Sequence, residues 1–90
     1  MNDKKINLKV AGRSRVDSVA GSCVKNIEEG KSVSLTAIGA GAVNQMMKAI
    51  TIARSMGASS GIDLYFTTGF ATEIINGEEK TAMKVFLHTR

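Results

Sequence analysis

Ala37-Ile38-Gly39-Ala40-Gly41-Ala42-Val43-Asn44-Gln45-Met46-Met47-Lys48-Ala49-Ile50-Thr51-Ile52-Ala53-Arg54 decides the fold. A strand end runs into a turn built on Gly39 and Gly41, and the turn opens the most apolar helix of the chain, expected over 42–56. Val43, Met46, Met47, Ile50 and Ala53 form one helical stripe, and Ala42, Ala49, Ile52 and Met56 add a second. A helix apolar over more than half its girth needs two surfaces to pack against. One is a sheet; the other is the preceding helix or a second copy of the protein.

The flanks supply the sheet. Before the turn, residues 32–38 alternate, with Val33, Leu35 and Ala37 on one side and Ser34 and Thr36 on the other. Residues 5–11 alternate in the same way: Ile6, Leu8 and Val10 against Lys5, Asn7 and Lys9. Between these strands lies a basic loop, Gly12-Arg13-Ser14-Arg15, and then a helix. Ser14 and Asp17 have the spacing of a capping box, which places the helix start near Arg15. Val16, Val19, Ala20, Cys23, Val24 and Ile27 form its apolar stripe, and Gly30 supplies its stop. Strand, helix, strand in this order predicts a parallel pair with a right-handed crossover.

After the long helix, Gly57 to Gly61 reads as a small-residue loop. Residues 62–75 and 80–89 then flank Asn76-Gly77, the strongest short hairpin signal. A two-residue turn there fixes the register. It puts Ile62, Leu64, Phe66, Phe70 and Ile74 on one face with Met83, Val85 and Leu87. Asp63, Tyr65, Thr67, Lys84, Phe86 and His88 fall on the other. The distal half, about 70–83, is expected to project past the helices as an arm.

The totals narrow the function classes. Ninety residues, 43% of them hydrophobic, make a single domain over 1–90, too short for an enzyme with a separate substrate domain. No apolar run reaches the ~18 residues of a membrane span. The charged start, Met1-Asn2-Asp3-Lys4-Lys5, is not expected to act as a secretory signal. A lone cysteine forms no internal disulfide and fits a reducing, cytoplasmic setting. A net charge of +4 is a mild lean toward polyanions.

Little catalytic chemistry is on offer. One Cys and one His give no metal-ligand set. Cys23 lies in a core stripe, where packing is its ordinary role. No nucleophile has a base and an orienting partner, so the chain is not expected to be an enzyme and no cofactor is expected. Gly39-Ala40-Gly41 resembles a phosphate-binding turn, but Asn44 replaces the third glycine of a dinucleotide fingerprint and no P-loop Lys-Ser/Thr follows. A tight architectural turn is the plainer account, with a small anionic ligand as the weakest alternative. Arg13 and Arg15, beside helix-terminal N–H groups, suit a phosphate backbone or a solvated loop equally. Lys48 and Arg54 on the long helix share that ambiguity. Tyr65, Phe86 and His88 among Lys5, Lys9 and Lys84 suit base stacking or burial in an oligomer.

Several segments together resemble the stage V sporulation protein S family, SpoVS. They are Ser18-Val19-Ala20-Gly21, Ala37 through Gln45, Lys48-Ala49-Ile50, Ile52-Ala53-Arg54 and Asn76-Gly77-Glu78-Glu79-Lys80-Thr81-Ala82. The resemblance covers about 8–90, and its wider kinship is to the Alba-like chromatin proteins. It implies an α/β two-layer sandwich in β-α-β-α-β-β order, with two helices on one face of a mixed four-stranded sheet. It also implies a homodimer or higher oligomer, and binding of DNA or RNA with weak sequence preference, in proteins tied to sporulation and cell-division control. Neither a membrane nor a small-molecule substrate is implied.

Alba-like domains bind through the loop after the first strand, the turn before the second helix, and hairpin arms. The first maps onto Arg13, Ser14 and Arg15; the second maps onto Gly39, Gly41 and Asn44, with Lys48 one turn on. The arm departs from the pattern, carrying Glu73, Glu78 and Glu79 against Lys80. Acidic groups beside phosphates cost affinity. A second departure is Val16, where these proteins commonly have proline. The alternative to a nucleic-acid-binding regulator is an oligomeric protein-interaction scaffold.

Overall fold

A computed structural model describes residues 4–90; the Met1-Asn2-Asp3 part of the charged N-terminus lies outside the described residues. The elements run β1 (Lys5–Val10), α1 (Val16–Glu28), β2 (Ser32–Ala37), α2 (Ala40–Ser59), β3 (Leu64–Ile75) and β4 (Glu78–Thr89). The strands form one mixed sheet in the order β1-β2-β4-β3. β1 and β2 are parallel, and β4 is antiparallel to both of its neighbours. This is the order and layering expected of the α/β sandwich.

Core packing follows the alternation. Val10, Val33, Leu35, Leu64, Val85 and Leu87 point from the sheet into a cluster with Ala20, Cys23 and Val24 of α1 and Ala42, Met46, Ile50 and Ala53 of α2. Leu35, Met46, Ile50, Leu64 and Val85 are essentially sealed from solvent. The two apolar stripes of α2 are used unequally. One meets the sheet, and α1 packs along the helix as its second surface. Met47 and Met56 stay exposed at 36% and 40%.

Gly30 closes α1 as expected, with φ 82°. Its N–H donates to the Ile27 carbonyl at 2.9 Å, and the Lys31 N–H donates to the Asn26 carbonyl at 3.0 Å. Asn76 and Gly77 both have positive φ, 53° and 79°, the signature of a type I′ turn. The hairpin register they impose pairs Tyr65 with His88, Phe66 with Leu87 and Phe70 with Met83.

Four local expectations need correction. Ser14 does not cap α1: the helix starts one residue later, at Val16, with Arg15 at the N-cap and no side-chain cap bond. The Ser14 hydroxyl is committed to closing the loop, accepting the Ala11 N–H at 2.8 Å. Only Gly39 makes the turn before α2, at φ 90°; Gly41 is already helical. α2 also runs past its expected end to Ser59 and absorbs part of the supposed 57–61 loop. Gly57 is buried there because Ile62 folds back onto it: a Cβ would lie 3.4 Å from that of Ile62, whose N–H donates to the Gly57 carbonyl at 2.8 Å. Finally, β3 begins at Leu64, and Ile62 reaches the core from outside the strand.

The distal hairpin forms an arm. β2 pairs with β4 only as far as Ala37 opposite Met83, so residues 71–82 pair with one another alone. Phe70 and Ile74 keep the core-facing parity yet are 77% and 66% exposed. The arm is not straight. Lys9, Thr36, Lys84 and Gly69 lie in one row across the sheet, and Glu73 lies beyond Gly69 on β3. In a flat sheet Glu73 would be about 13 Å along and about 14 Å across from Lys9. Instead Lys9 Nζ is 3.2 Å from Glu73 Oε1. The arm therefore coils toward β1, the strong twist natural to a two-stranded ribbon.

Candidate nucleic-acid interface

The expected site residues converge at the end of the sheet where β1 and β2 finish. The β1–α1 loop is tied down twice. Ala11 and Ser14 exchange bonds, since the Ser14 N–H donates to the Ala11 carbonyl at 3.0 Å and the Ala11 N–H donates to Ser14 Oγ. Gln45 of α2 then donates its side-chain N–H to the Ser14 carbonyl at 2.9 Å. That bond fixes the loop beside the first turns of α2. Gln45 was not among the expected site residues, although it closes the stretch that carries the family resemblance.

On α2, Gly41, Asn44 and Lys48 recur at i, i+3 and i+7 and are all exposed, so they form one solvent-facing stripe next to the pinned loop. Ala11 and Gly12 of the loop, Ile38 of the turn and Ala42 of α2 line a shared cleft of ≈ 500 Å³ with Lys9 and Glu73. Arg13 is exposed and enters none of the ion pairs among the described residues. Arg15 is different: its guanidinium sits 3.3 Å from the Asp17 carboxylate. The Arg15 hydrogen bond and charge, with the Ser18 backbone N–H, hold the Asp17 carboxyl below its ordinary value.

The two helix N-termini differ in the same sense. α1 has Asp17 in its first turn, so its positive end is already neutralised. α2 has no acid in its first turn and no side-chain cap, and its first intrahelical bond is Val43 N–H to the Gly39 carbonyl. The N–H groups of Ala40 and Gly41 precede it and lie on an exposed stretch. Free N–H groups at a helix start attract anions. Gly39 makes this possible, since its positive φ turns the chain sharply without a side chain over those donors.

The other face of the sheet carries further basic and aromatic groups. Tyr65 and His88 stack with ring centroids 5.1 Å apart. The Arg90 guanidinium lies 4.5 Å over Tyr65, and Lys84 Nζ lies 5.3 Å from the Phe86 centroid. His88 Nε2 is 2.8 Å from Thr67 Oγ1. Asn7 Oδ1 accepts from Ser34 and Thr36 at 2.8 and 2.9 Å, which satisfies the buried Thr36.

Among the described residues no group of three His, Cys, Asp or Glu side chains could hold a metal ion. No described helix is long and apolar enough to cross a membrane. Burial pushes the Cys23 thiol up to about 11, which keeps it protonated and unreactive.

The family described as Stage V sporulation protein S (SpoVS) matches this chain over residues 6–90. The chain therefore belongs to that sporulation-related family.

Proposed function

We propose that this member of the stage V sporulation protein S family is a non-enzymatic, cytoplasmic regulator that binds the phosphate backbone of DNA or RNA as a homodimer or higher oligomer. One observation carries the proposal: the uncapped, acid-free start of α2 lies beside a basic loop held in place by the Gln45–Ser14 bond. Arg13 supplies an unpaired cation, Arg15 a second that exchanges Asp17 for phosphate, and Lys48 a third, one turn beyond Asn44 on α2. Ser14 contributes its free hydroxyl hydrogen. Gly39, Gly41 and Asn44 contribute close backbone approach and polar contact. Backbone contacts of this kind orient a duplex without reading its bases, so weak sequence preference follows.

Fluorescence anisotropy at low salt with labelled duplex DNA and duplex RNA tests the proposal. Binding by the wild type, weakened at least several-fold in the Arg13→Ala/Arg15→Ala double variant, supports it. Absence of binding to both duplexes contradicts it.

A second function class is favoured by one observation, the 77% and 66% exposure of Phe70 and Ile74 on the arm. Apolar side chains this open suit a protein contact. A scaffold of that kind would assemble with concentration and carry no nucleic acid. Sedimentation of wild type and Phe70→Ser, with the ultraviolet absorbance ratio of the purified protein, separates the two.

A further inference from the structure

The open face of the sheet has the chemistry of a second site, distinct from the loop that would hold a duplex. Phe86 and Tyr65 are 39% and 36% exposed there. They are half of the four aromatic residues in the chain, which has three Phe and one Tyr. Phe86 and His88 are alternate residues on β4, so their rings project from the same face about 7 Å apart along the strand. His88 is stacked on Tyr65, which makes a two-ring platform beside the single Phe86 ring. Two shallow clefts, ≈ 410 Å³ and ≈ 350 Å³, adjoin at Ser32, Leu87 and His88; the first is lined by Phe86 and the second by Tyr65.

Charge selects the occupant. Lys5 lines the first cleft, Lys84 sits over Phe86, and Arg90 sits over Tyr65. The acid near this end of the hairpin, Asp63, is already bonded to Arg90 at 3.0 Å. Lys5 and Lys84 enter no ion pair among the described residues. Cations around exposed rings fit a polyanion that carries planar groups, which is a nucleic acid with its bases unstacked. A duplex hides its base faces and cannot use such rings; a single strand can.

We infer that the open sheet face binds single-stranded nucleic acid, with Phe86 and the Tyr65–His88 pair stacking bases and Lys5 and Lys84 holding phosphates. An arriving base takes the place of the Lys84 ammonium on Phe86, and the ammonium moves to the adjoining phosphate. The inference extends the nucleic-acid proposal but uses different residues, so the two fail separately.

Tyr65 is the only tyrosine in a chain without tryptophan, so intrinsic emission reports this face alone. Adding oligo(U) should quench that emission saturably, while an equal-length duplex DNA should not. Phe86→Ala should weaken oligo(U) binding roughly fivefold to a hundredfold, the range for one lost base–aromatic stack, and leave duplex binding unchanged. Arg13→Ala/Arg15→Ala should show the opposite pattern. Phe86 is surface-exposed, and an unchanged circular dichroism melt shows that its variant is folded. Oligo(U) binding without tyrosine quenching overturns the inference, as does wild-type affinity in Phe86→Ala. Dissociation of a larger assembly by Phe86→Ala also overturns it, because the face would then be covered by a second copy. If only Arg13→Ala/Arg15→Ala is silent toward duplex, the loop proposal falls and this inference stands.

Discussion

The β1–α1 loop and the hairpin arm lie at the same end of the sheet but are built in opposite ways. The loop is short, basic and pinned by hydrogen bonds to Ala11 and Gln45. The arm is long and tied to the body by the Lys9–Glu73 ion pair, whose lysine is exposed and whose carboxylate is half-buried. It carries Glu73, Glu78 and Glu79 against Lys80 and displays Phe70 and Ile74. The contrast teaches that topology brings two elements to one place, and charge and anchoring set them apart; on the proposed function, only the loop holds a phosphate.

The largest expected effect falls on the loop. Arg13→Ala/Arg15→Ala should lower duplex affinity about tenfold or more at low salt, since phosphate contacts supply most of non-specific binding. If the same loss came from truncating the arm instead, the comparison would be reversed. Next comes the anchor. Gln45→Ala should cost about 1 kcal/mol in urea unfolding, the worth of one hydrogen bond, and reduce duplex affinity by a smaller factor than the double arginine variant. On the arm, Glu78→Gln/Glu79→Gln should raise duplex affinity a few-fold by removing repulsion. A fall would show that the arm works through those carboxylates. Lys9→Ala should give the smallest change in stability, about 0–1 kcal/mol for a surface pair whose cation is in solvent. Its amide exchange should nevertheless quicken between 71 and 82, because the arm has lost its tether.

A separate prediction concerns the body that both elements share. Between about pH 9 and 11 the unfolded Cys23 thiol releases a proton that the buried thiol keeps. The unfolded state then binds fewer protons, so stability falls as pH rises through that window, by roughly 2 kcal/mol. Cys23→Ala should flatten that part of the urea-midpoint profile.

Much of this was legible in the residues. Alternation in β1 and β2, the α1 stripe and the Asn76-Gly77 turn each state their structure locally, and the hairpin register follows from the turn alone. Parity was legible for Phe70 and Ile74, but burial was not: whether a face is covered depends on where the helices end. The capping box failed because the Ser14 hydroxyl had a competing partner in Ala11, which spacing does not reveal. The 57–61 loop failed because small residues suit both a loop and a helix end under close packing, and the deciding contact is Ile62 on Gly57. For the site, the basic loop and the glycine turn were visible as separate features. The Gln45–Ser14 bond that brings them together spans too much sequence to be seen locally. Asp17 next to Arg15 was visible as a helix-start acid, not as the group that occupies the guanidinium.

The salt dependence of duplex binding tests the central claim most directly. The slope of log Kobs against log[salt] should become less negative by about 0.9 for each phosphate contact removed, so by about 2 in Arg13→Ala/Arg15→Ala. An unchanged slope in that variant, with wild-type affinity retained, would contradict the claim that this loop holds the phosphate backbone.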